Sequence, residues 1–284
     1  METIDSCERM QRRSEALRLA GRTIALVPTM GFFHEGHLEL MRVGKKHADQ
    51  LVVSIFVNPL QFGPNEDFEV YPRDSEGDLS KACEVGVDLI FAPSAEDMYP
   101  GEFQTKIGVE RITKHLCGLS RPGHFDGVTT VVAKLFNITK PHLAIFGQKD
   151  YQQLTIISRM VRDLNMDVQI VGLPIVRESD GLAMSSRNSY LNAEERESAL
   201  CLKKSLELAD ELFSHGETEA DVIKKAIEKL ILSHSFTKID YVNLCHPETL
   251  EDLETVERGS LLALAVKVGK TRLIDNCLIG KVSR

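Results

Sequence analysis

The order of apolar runs along the first two thirds of the chain constrains its fold more than any other feature. Short runs, TIALVP (residues 23–28), LVVSIFVNP (51–59) and VDLIFAP (87–93), alternate with segments of helical character. HLAIFG (142–147) and DVQIVGLP (167–174) continue the series. Strands that are apolar on both faces are typical of a parallel sheet covered by helices on both sides. We therefore predict an α/β fold.

The segments between these runs predict helices over residues 36–48, 74–86, 125–139 and 150–164. The second has Asp74 as an N-cap and Gly86 just past its end, which are ordinary helix start and stop signals. The third, FDGVTTVVAKLFNIT, favours a buried helix, although its Val and Thr content leaves a strand open.

The pattern changes after Pro174, which indicates a second, smaller α+β domain. Two charged amphipathic helices are followed by three strand candidates, at residues 193–214, 217–234, 238–244, 260–269 and 271–279. The last two strands meet at Gly269 and Lys270, a hairpin signal. We predict two domains, residues 1–175 and 176–284.

Charge and cysteine usage exclude several classes of protein. The net charge of −8 argues against a nucleic-acid-binding surface, because neutralising phosphates needs a clustered basic excess. No run of about 18 apolar residues exists that could span a membrane, and the charged N-terminus is unlike a signal peptide. None of the six cysteines stands at C-x-x-C spacing. We expect reduced thiols and a cytoplasmic protein.

The stretch TMGFFHEGH (residues 29–37) follows the first strand and leads into a helix. Gly31 allows a sharp turn, and Gly36 allows a ligand close to the helix N-terminus, whose N–H groups suit phosphate. His34 and His37 would add donors to that anion. Taken alone, the stretch favours a βα turn that carries two solvated histidines over a phosphate site. Zinc is disfavoured, because no further cluster completes a ligand set, and the G-x-G-x-x-G fingerprint is absent.

Three further segments follow strands or lie near the domain junction. FGQKDYQQL (146–154) offers Lys149 to a phosphate, ESDGLAMSSRNSYL (178–191) offers hydroxyls and a guanidinium, and the long loop 58–71 carries Asn58 and Gln61. Each alone is consistent with a capped helix, a polar linker or a solvated turn. Because ligands bind at the carboxyl ends of parallel strands, the four segments together indicate a nucleotide site. No Ser or Cys stands in a nucleophile motif, and chemistry at phosphate needs none.

Five stretches carry a resemblance to a known family: PTMGFFHEGH, SIFVNPLQFGPNEDFEVYPR, GHFDGVTTVVAKLFNI, FGQKDYQQL and RESDGLAMSSRNSYL. Together, in this order, they resemble the pantoate–β-alanine ligases (pantothenate synthetases), and TRLIDN near the end fits too. The wider superfamily of nucleotidylyltransferases and class I tRNA synthetases shares only the H-x-G-H core and a Ser/Lys-rich loop, here residues 184–187.

The resemblance implies a two-step reaction in which ATP and (R)-pantoate give pantoyl adenylate and pyrophosphate. β-Alanine then attacks the adenylate, which releases AMP and pantothenate. The resemblance further implies a Rossmann-like N-terminal domain, a C-terminal lid domain, Mg²⁺ on the ATP phosphates, and a homodimer.

The resemblance also implies roles for individual residues. It assigns to ATP the residues Met30, Gly31, Phe32, Phe33, His34, Glu35, Gly36, His37, Gly147, Gln148, Lys149, Asp150, Val176, Met184, Ser185, Ser186 and Arg187. Gln61 and Gln153 are expected to hold pantoate, and Gln61 also lies at the β-alanine position. His34, His37, Lys149 and Arg187 are expected to be catalytic, with His37 the family's proton donor. Whether His37 transfers a proton or only stabilises charge on pyrophosphate stays open.

Two positions depart from the family pattern, and two other functions compete with the ligase. Phe33 stands where the family usually has Leu, and Gln148 replaces the usual acid before Lys149. A nucleotidylyltransferase with the same H-x-G-H site is the enzymatic alternative, and the loop around Gln61 argues against it. A non-catalytic nucleotide-binding homologue is the other, and retention of residues such as His37 and Arg187 argues against loss of activity.

Overall fold

The computed structural model describes residues 1–64 and 66–281, and residues 65 and 282–284 lie outside that description. The predicted loop 58–71 and the predicted domain 176–284 therefore each include positions that are not described. The described residues form two compact units. The first comprises Met1–Glu110, Arg121–Gln148 and Gln153–Pro174, and the second comprises Arg111–Ser120, Lys149–Gln152 and Ile175–Arg284. Two short segments of the second unit thus precede residue 176 in the sequence.

The first unit is built on a six-stranded parallel sheet of order β1-β4-β3-β2-β5-β6, which confirms the predicted fold class. Its strands are β1 (Glu2–Ile4), β2 (Ile24–Thr29), β3 (Gln50–Ile55), β4 (Leu89–Phe91), β5 (Leu143–Gly147) and β6 (Gln169–Leu173). The α-helices between residues 1 and 163 are α1 (Cys7–Leu19), α2 (Glu35–His47), α3 (Ser75–Val85), α4 (Ala95–Met98), α5 (Cys117–Ser120), α6 (His124–Thr139) and α7 (Tyr151–Asp163).

Both faces of this sheet are covered, as continuous apolar strands predict. Ala25 and Val27 of β2 belong to a cluster that α2 and α3 complete through Met41 and Ala82. The alternate residue of β2, Leu26, is buried as well, and α1 and α6 also pack against this strand. Site residues that follow these strands are therefore carried by a rigid layered frame.

Local signals set several helix boundaries. Asp74 caps α3 by accepting the N–H of Gly77 at 3.0 Å, and Gly86 ends the helix at φ 83°, as predicted. The ambiguous segment 125–139 is the helix α6, in which the hydroxyl of Thr129 bonds the Phe125 carbonyl oxygen one turn earlier, at 2.8 Å. Its Thr content is thereby accommodated inside a buried helix.

The second unit contains a three-stranded antiparallel sheet, β7 (Thr237–Cys245), β8 (Leu261–Val268) and β9 (Thr271–Leu278). The two-residue loop at Gly269 and Lys270 joins β8 to β9, as predicted, with Gly269 at φ 57°. Helices α8 (Ala193–Ala199), α9 (Cys201–Ser214) and α10 (Ala220–Leu232) complete the unit. The prediction of a single helix over 193–214 was wrong. Leu200 separates α8 from α9, because its amide bonds the carbonyl of Glu197, three residues back, at 3.3 Å.

Two further expectations concern compartment. The six cysteines all lie in the described residues, and none of them is in a disulfide. No helix in the described ranges is both long and apolar enough to cross a membrane.

Candidate active site

The turn that follows β2 is built from two residues in the left-handed region. Gly31 has φ 84° and Phe32 has φ 53°. A Cβ atom at Gly31 would lie 2.9 Å from Oδ2 of Asp78 and 3.2 Å from Cγ2 of Ile55. Both the backbone conformation and the available space therefore require glycine at position 31.

The carboxylate of Asp78, on α3, holds this turn in place. Its Oδ2 accepts the N–H of Phe32 at 2.7 Å, and its Oδ1 accepts the N–H of Phe33 at 2.6 Å. Lys81, on the same helix, donates to the carbonyl oxygen of Phe33 at 2.8 Å. Burial raises the pKa of Asp78, and the two N–H donors oppose that effect. The side chain is only 1% exposed, so it acts as an internal clamp.

The clamp delivers the two histidines to the start of α2. His34 is the N-cap residue, and His37 lies in the first turn of the helix. Their rings stack with centroids 4.0 Å apart and an interplanar angle of 29°. The main-chain N–H of His34 donates to Nδ1 of His37 at 3.3 Å. Because Nδ1 is the acceptor, a neutral His37 carries its proton on Nε2 and can donate from that atom.

The remaining residues of the motif, Phe33, Glu35 and Gly36, have different surroundings. Phe33 is buried, and its ring centroid lies 5.6 Å from that of His37, so the aromatic that stands in place of the usual Leu contacts the histidine ring. Glu35 is exposed in the first turn of α2 and pairs with Arg42. Gly36 is helical and follows directly.

The side chain of Gln61 is oriented by two residues before any substrate binds. Its Nε2 donates to Sδ of Met30, and its Oε1 accepts from Nδ2 of Asn58, both at 3.1 Å. Met30 and Gln61, both predicted site residues, are thus in direct contact. Gln61 ends a short 3-10 helix, Pro59–Gln61, of which Asn58 is the cap.

Asn58 is 1% exposed and links this 3-10 helix to two other parts of the first unit. It donates to the carbonyl of Gly127, on α6, at 3.1 Å and accepts the hydroxyl of Tyr99 at 2.8 Å. Burial raises the pKa of Tyr99, so the hydroxyl stays a neutral donor. A Cβ at Gly127 would lie 2.2 Å from the carbonyl oxygen of Leu60, so only glycine permits this close approach.

A charged cluster fastens the loop that carries Gln61 to the start of α6. Arg121 donates from Nε to Oε1 of Glu66 at 2.6 Å and from Nη2 to Oε2 of the same carboxylate. Arg121 and Nδ1 of His124 also contact the carbonyl oxygen of Gln61, at 3.2 and 2.7 Å. Burial acts to raise the pKa of Glu66, but the bonds from Arg121 outweigh it and the pKa is lowered.

Three predicted residues of the first unit lie at or after the end of β5. Gly147 is the last residue of β5, and a Cβ there would meet no atom of the described residues within 4 Å. Its φ is not in the left-handed region, so the turn that it permits does not depend on glycine. Gln148 lies against Gly172 of β6, with 3.5 Å between a Cβ built there and Cγ of Gln148. Gln153 lies in the first turn of α7.

The other predicted residues belong to the second unit. Lys149 is half-buried, and its carbonyl oxygen accepts from Nδ2 of Asn276 at 2.9 Å, whereas Asp150 is exposed. Val176 accepts the N–H of Met184 at 3.0 Å, which closes a turn between them.

Residues 184–187 lead into another 3-10 helix, Ser186–Tyr190. The Ser185 hydroxyl caps that helix by accepting the N–H of Arg187 at 3.3 Å, so its own proton is left to donate elsewhere. Asn188 braces the turn by donating to Glu178 at 2.6 Å and to the carbonyl of Ala183 at 3.1 Å. The predicted anion-binding residues thus stand on a braced turn.

The described residues offer no preformed metal site. Across residues 1–64 and 66–281, no three or more His, Cys, Asp or Glu side chains are grouped to hold a metal ion. Mg²⁺ bound to nucleotide phosphates keeps phosphate and water oxygens as ligands and needs few protein ligands.

The sequence analysis assigned residues to a ligand, but it did not assign the side chains that hold those residues in place. Asp78, Lys81, Glu66, Arg121 and His124 were not assigned as site residues. An acid in the first turn of a helix, such as Asp78, is normally read as a partner of the helix dipole. Glu66 and Arg121 are 55 residues apart, and no local pattern predicts such a pair.

Comparisons with known proteins cover nearly the whole chain. A sequence model of the family described as pantoate-beta-alanine ligase matches residues 2–278. The pantothenate synthetase of Syntrophus aciditrophicus (strain SB) is 59% identical over 281 residues, which cover 99% of this chain and 98% of that protein. The pantothenate synthetase of Geobacter sulfurreducens is 58% identical, with 99% of both chains covered.

Solved structures agree with this match. The pantothenate synthetase of Thermus thermophilus superposes with a TM-score of 0.93 at 44% identity, covering 98% of this chain and 99% of that one. The pantoate-beta-alanine ligase of Francisella tularensis, complexed with beta-gamma ATP and beta-alanine, gives a TM-score of 0.80 at 34% identity. That match covers 98% of this chain and 97% of the other.

Proposed function

The chain belongs to the pantoate–β-alanine ligase family, and from this premise we propose how its residues carry out the reaction of that family. The enzyme condenses (R)-pantoate with β-alanine to pantothenate at the expense of ATP. In the first step a carboxylate oxygen of pantoate attacks the α-phosphorus of ATP, and the bond to pyrophosphate breaks. In the second step the β-alanine nitrogen attacks the acyl carbon, the bond to AMP breaks, and the amine loses a proton.

The single observation that carries the assignment of roles is the histidine pair at the N-terminus of α2. The N-terminal end of a helix carries partial positive charge and suits an anion. Nδ1 of His37 accepts the N–H of His34, so a neutral His37 carries its proton on Nε2, the atom that we assign as donor to the ATP phosphates. Asp78 fixes the preceding turn, so the donor is oriented before ATP binds.

Lys149 and Arg187 supply positive charge for the same step. Attack of one anion on another is opposed by charge repulsion. The fixed cations Lys149 and Arg187 reduce that repulsion, and Mg²⁺ bound to the ATP phosphates would reduce it further. We assign to ATP the motif residues given above: residues 30–37, 147–150, 176 and 184–187. Mg²⁺ on the ATP phosphates would make pyrophosphate a better leaving group, so we assign to His37 chiefly a hydrogen bond that strengthens in the transition state.

Gln61 and Gln153 are proposed to hold pantoate, and Gln61 also β-alanine. An amide can donate to one polar group of a substrate and accept from another. The contacts of Gln61 with Met30 and Asn58 support this role, because they fix the side chain in advance. Lid movement of residues 176–284, a homodimeric state and a cytoplasmic location are also proposed, on the resemblance to the family.

The test is product formation from the complete mixture. We expect pantothenate, AMP and pyrophosphate when the protein is incubated with ATP, Mg²⁺, (R)-pantoate and β-alanine. Omission of β-alanine should leave pyrophosphate release and stop pantothenate formation. AMP transfer to a phosphate acceptor with no dependence on pantoate would instead indicate a nucleotidylyltransferase. A folded protein that yields no pantothenate would refute the proposal.

A further inference from the structure

The dipeptide Asp275-Asn276 of β9 lies within the TRLIDN motif, to which the proposed mechanism assigns no role. Both side chains are buried, with exposed fractions of 2% for Asp275 and 7% for Asn276. Neighbouring residues of a strand point to opposite faces of the sheet. The two side chains therefore serve two different sets of contacts from one short length of main chain.

Asn276 faces the short segment Lys149–Gln152. Its Nδ2 donates to the carbonyl oxygen of Lys149 at 2.9 Å. The far end of the segment is fixed by Gln152, whose Oε1 accepts the N–H of Cys117 at 3.0 Å and whose Nε2 donates to two further carbonyls at 2.8 and 2.9 Å. The main chain that carries Lys149 is thus held at both ends.

Asp275 faces the turn that leads to residues 184–187. Its carboxylate accepts two bonds from Arg177, at 2.7 and 3.0 Å. Arg177 also donates to the carbonyl of Gly181 at 3.1 Å and forms a β-bridge with Ala183. Two parallel bonds between a guanidinium and a carboxylate fix orientation as well as distance. Asp275 therefore sets the position of the turn.

We propose that Asp275 and Asn276 are positioning residues that fix, from adjacent places on β9, the two segments carrying Lys149 and Arg187. Neither needs to contact ATP. The inference deepens the proposed function and rests on it, because Lys149 and Arg187 matter here as the cations that stabilise the departing pyrophosphate. A displacement of about 1 Å in such groups is enough to slow a reaction by a factor of order 10².

The two half-reactions separate this role from a general effect on the fold. Pyrophosphate is present only in the first step, so misplaced cations should slow pantoyl adenylate formation and spare its aminolysis. For Asn276→Ala we expect pantoate-dependent pyrophosphate release to fall by about 10- to 100-fold. The reaction of β-alanine with chemically prepared pantoyl adenylate should keep the wild-type rate.

Asn243 offers a matched control. Asn243, on β7, and Asn276, on β9, both pair with Ala263 of the central strand β8. The side chain of Asn243, however, donates to Asp252 at 2.7 Å. Asn243→Ala therefore removes a similar hydrogen bond from the same sheet, and both half-reactions should stay at wild-type rates. Asp275→Asn, which keeps the size of the side chain, should reproduce the selective loss.

The outcomes are distinguishable. A wild-type protein that releases no pyrophosphate with pantoate refutes the proposed function. An active wild type with a folded Asn276→Ala variant of normal adenylation rate overturns the positioning role, and so does equal slowing of both half-reactions. If Asn276→Ala does not fold, Asn276→Asp serves, because it keeps the size but offers the Lys149 carbonyl no donor.

Discussion

Asp78 accepts the main-chain N–H of Phe33 at 2.6 Å, although the two residues are 45 positions apart. The same carboxylate takes the N–H of Phe32, so a turn in left-handed conformation is anchored from a neighbouring helix. This contact joins the packing of the first unit to the orientation of His34 and His37. The first prediction concerns its removal.

Asp78→Asn should lower both stability and activity. An amide has one acceptor oxygen, so one of the two N–H groups would face an NH₂ group and lose its partner. A buried donor left in this way costs about 1–3 kcal/mol. We expect the free energy of unfolding in urea to fall by that amount, and pantothenate formation to slow. Asp74→Asn is the control, because Asn replaces Asp as an N-cap of α3 at little cost. Equal effects of the two changes would contradict the clamp.

Gly31→Ala should destabilise the protein through backbone strain and crowding. An alanine at this position would have to adopt φ near 84°, and its Cβ would lie 2.9 Å from the Asp78 carboxylate. Left-handed conformation costs a non-glycine residue roughly 1–2 kcal/mol before any clash is counted. Thermal unfolding should show a lower midpoint than for the wild type. Gly101→Ala is matched to it, because no described atom lies within 4 Å and its φ is not in the left-handed region. An unchanged midpoint for Gly31→Ala would be contrary to this account.

Substitutions of His37 separate proton transfer from charge stabilisation. His37→Ala removes the donor and should slow pyrophosphate release on the order of 10²–10³-fold, without loss of folding. His37→Gln places an amide N–H near the former Nε2, where it can donate a hydrogen bond but cannot give up a proton. If the Gln variant releases pyrophosphate much faster than the Ala variant, the result supports stabilisation by hydrogen bonding. If the two variants have equal rates, the result supports proton transfer. Exposed His47, at the end of the same helix, is the control site, and His47→Ala should keep wild-type rates.

Glu66→Gln should loosen the loop that carries Gln61. Arg121 would lose its negatively charged partner, and the loop would be held less firmly. Because Gln61 is proposed to bind pantoate, the KM for pantoate should rise more than kcat falls. Hydrogen bonds to charged groups contribute about 1.5–3 kcal/mol each, so the free energy of unfolding should drop by a similar amount. Glu69→Gln, at an exposed position of the same loop, should change neither quantity. No rise in the KM for pantoate would separate the cluster from substrate binding.

The same pair predicts how stability depends on pH. The pKa of Glu66 is lowered in the folded state, so its contribution is complete above the ordinary Glu pKa of about 4.3 and is lost as pH falls through the lower folded value. The difference in unfolding free energy between wild type and Glu66→Gln should therefore be constant near neutral pH and shrink under acid conditions. Urea titrations of both proteins across this range provide the measurement. A difference that grows on acidification would have the wrong sign.

Parts of the fold could be predicted from the sequence because they depend on interactions between neighbouring residues. The cap at Asp74 and the stop at Gly86 depend on residues within one turn of the helix ends, and the β8–β9 hairpin on two residues between apolar runs. Strand β1 was not predicted, because three residues acquire their role only by pairing with β4, almost 90 positions away. The break at Leu200 was missed because amphipathic periodicity continues across it.

The sequence by itself predicted the class of fold and the family, which are confirmed, and it proposed the residues from Met30 to Arg187 for contact with a ligand. These follow from periodicity, glycine placement and motif order, which are properties of neighbouring residues. The tertiary structure alone decided which side chains hold those residues in place. Asp78, the Glu66–Arg121 pair and the Asp275-Asn276 dipeptide act across large separations in sequence, so their roles exist only once packing brings the partners within hydrogen-bond distance. Hydrogen bonds require both partners at about 3 Å, a condition that no local pattern can express.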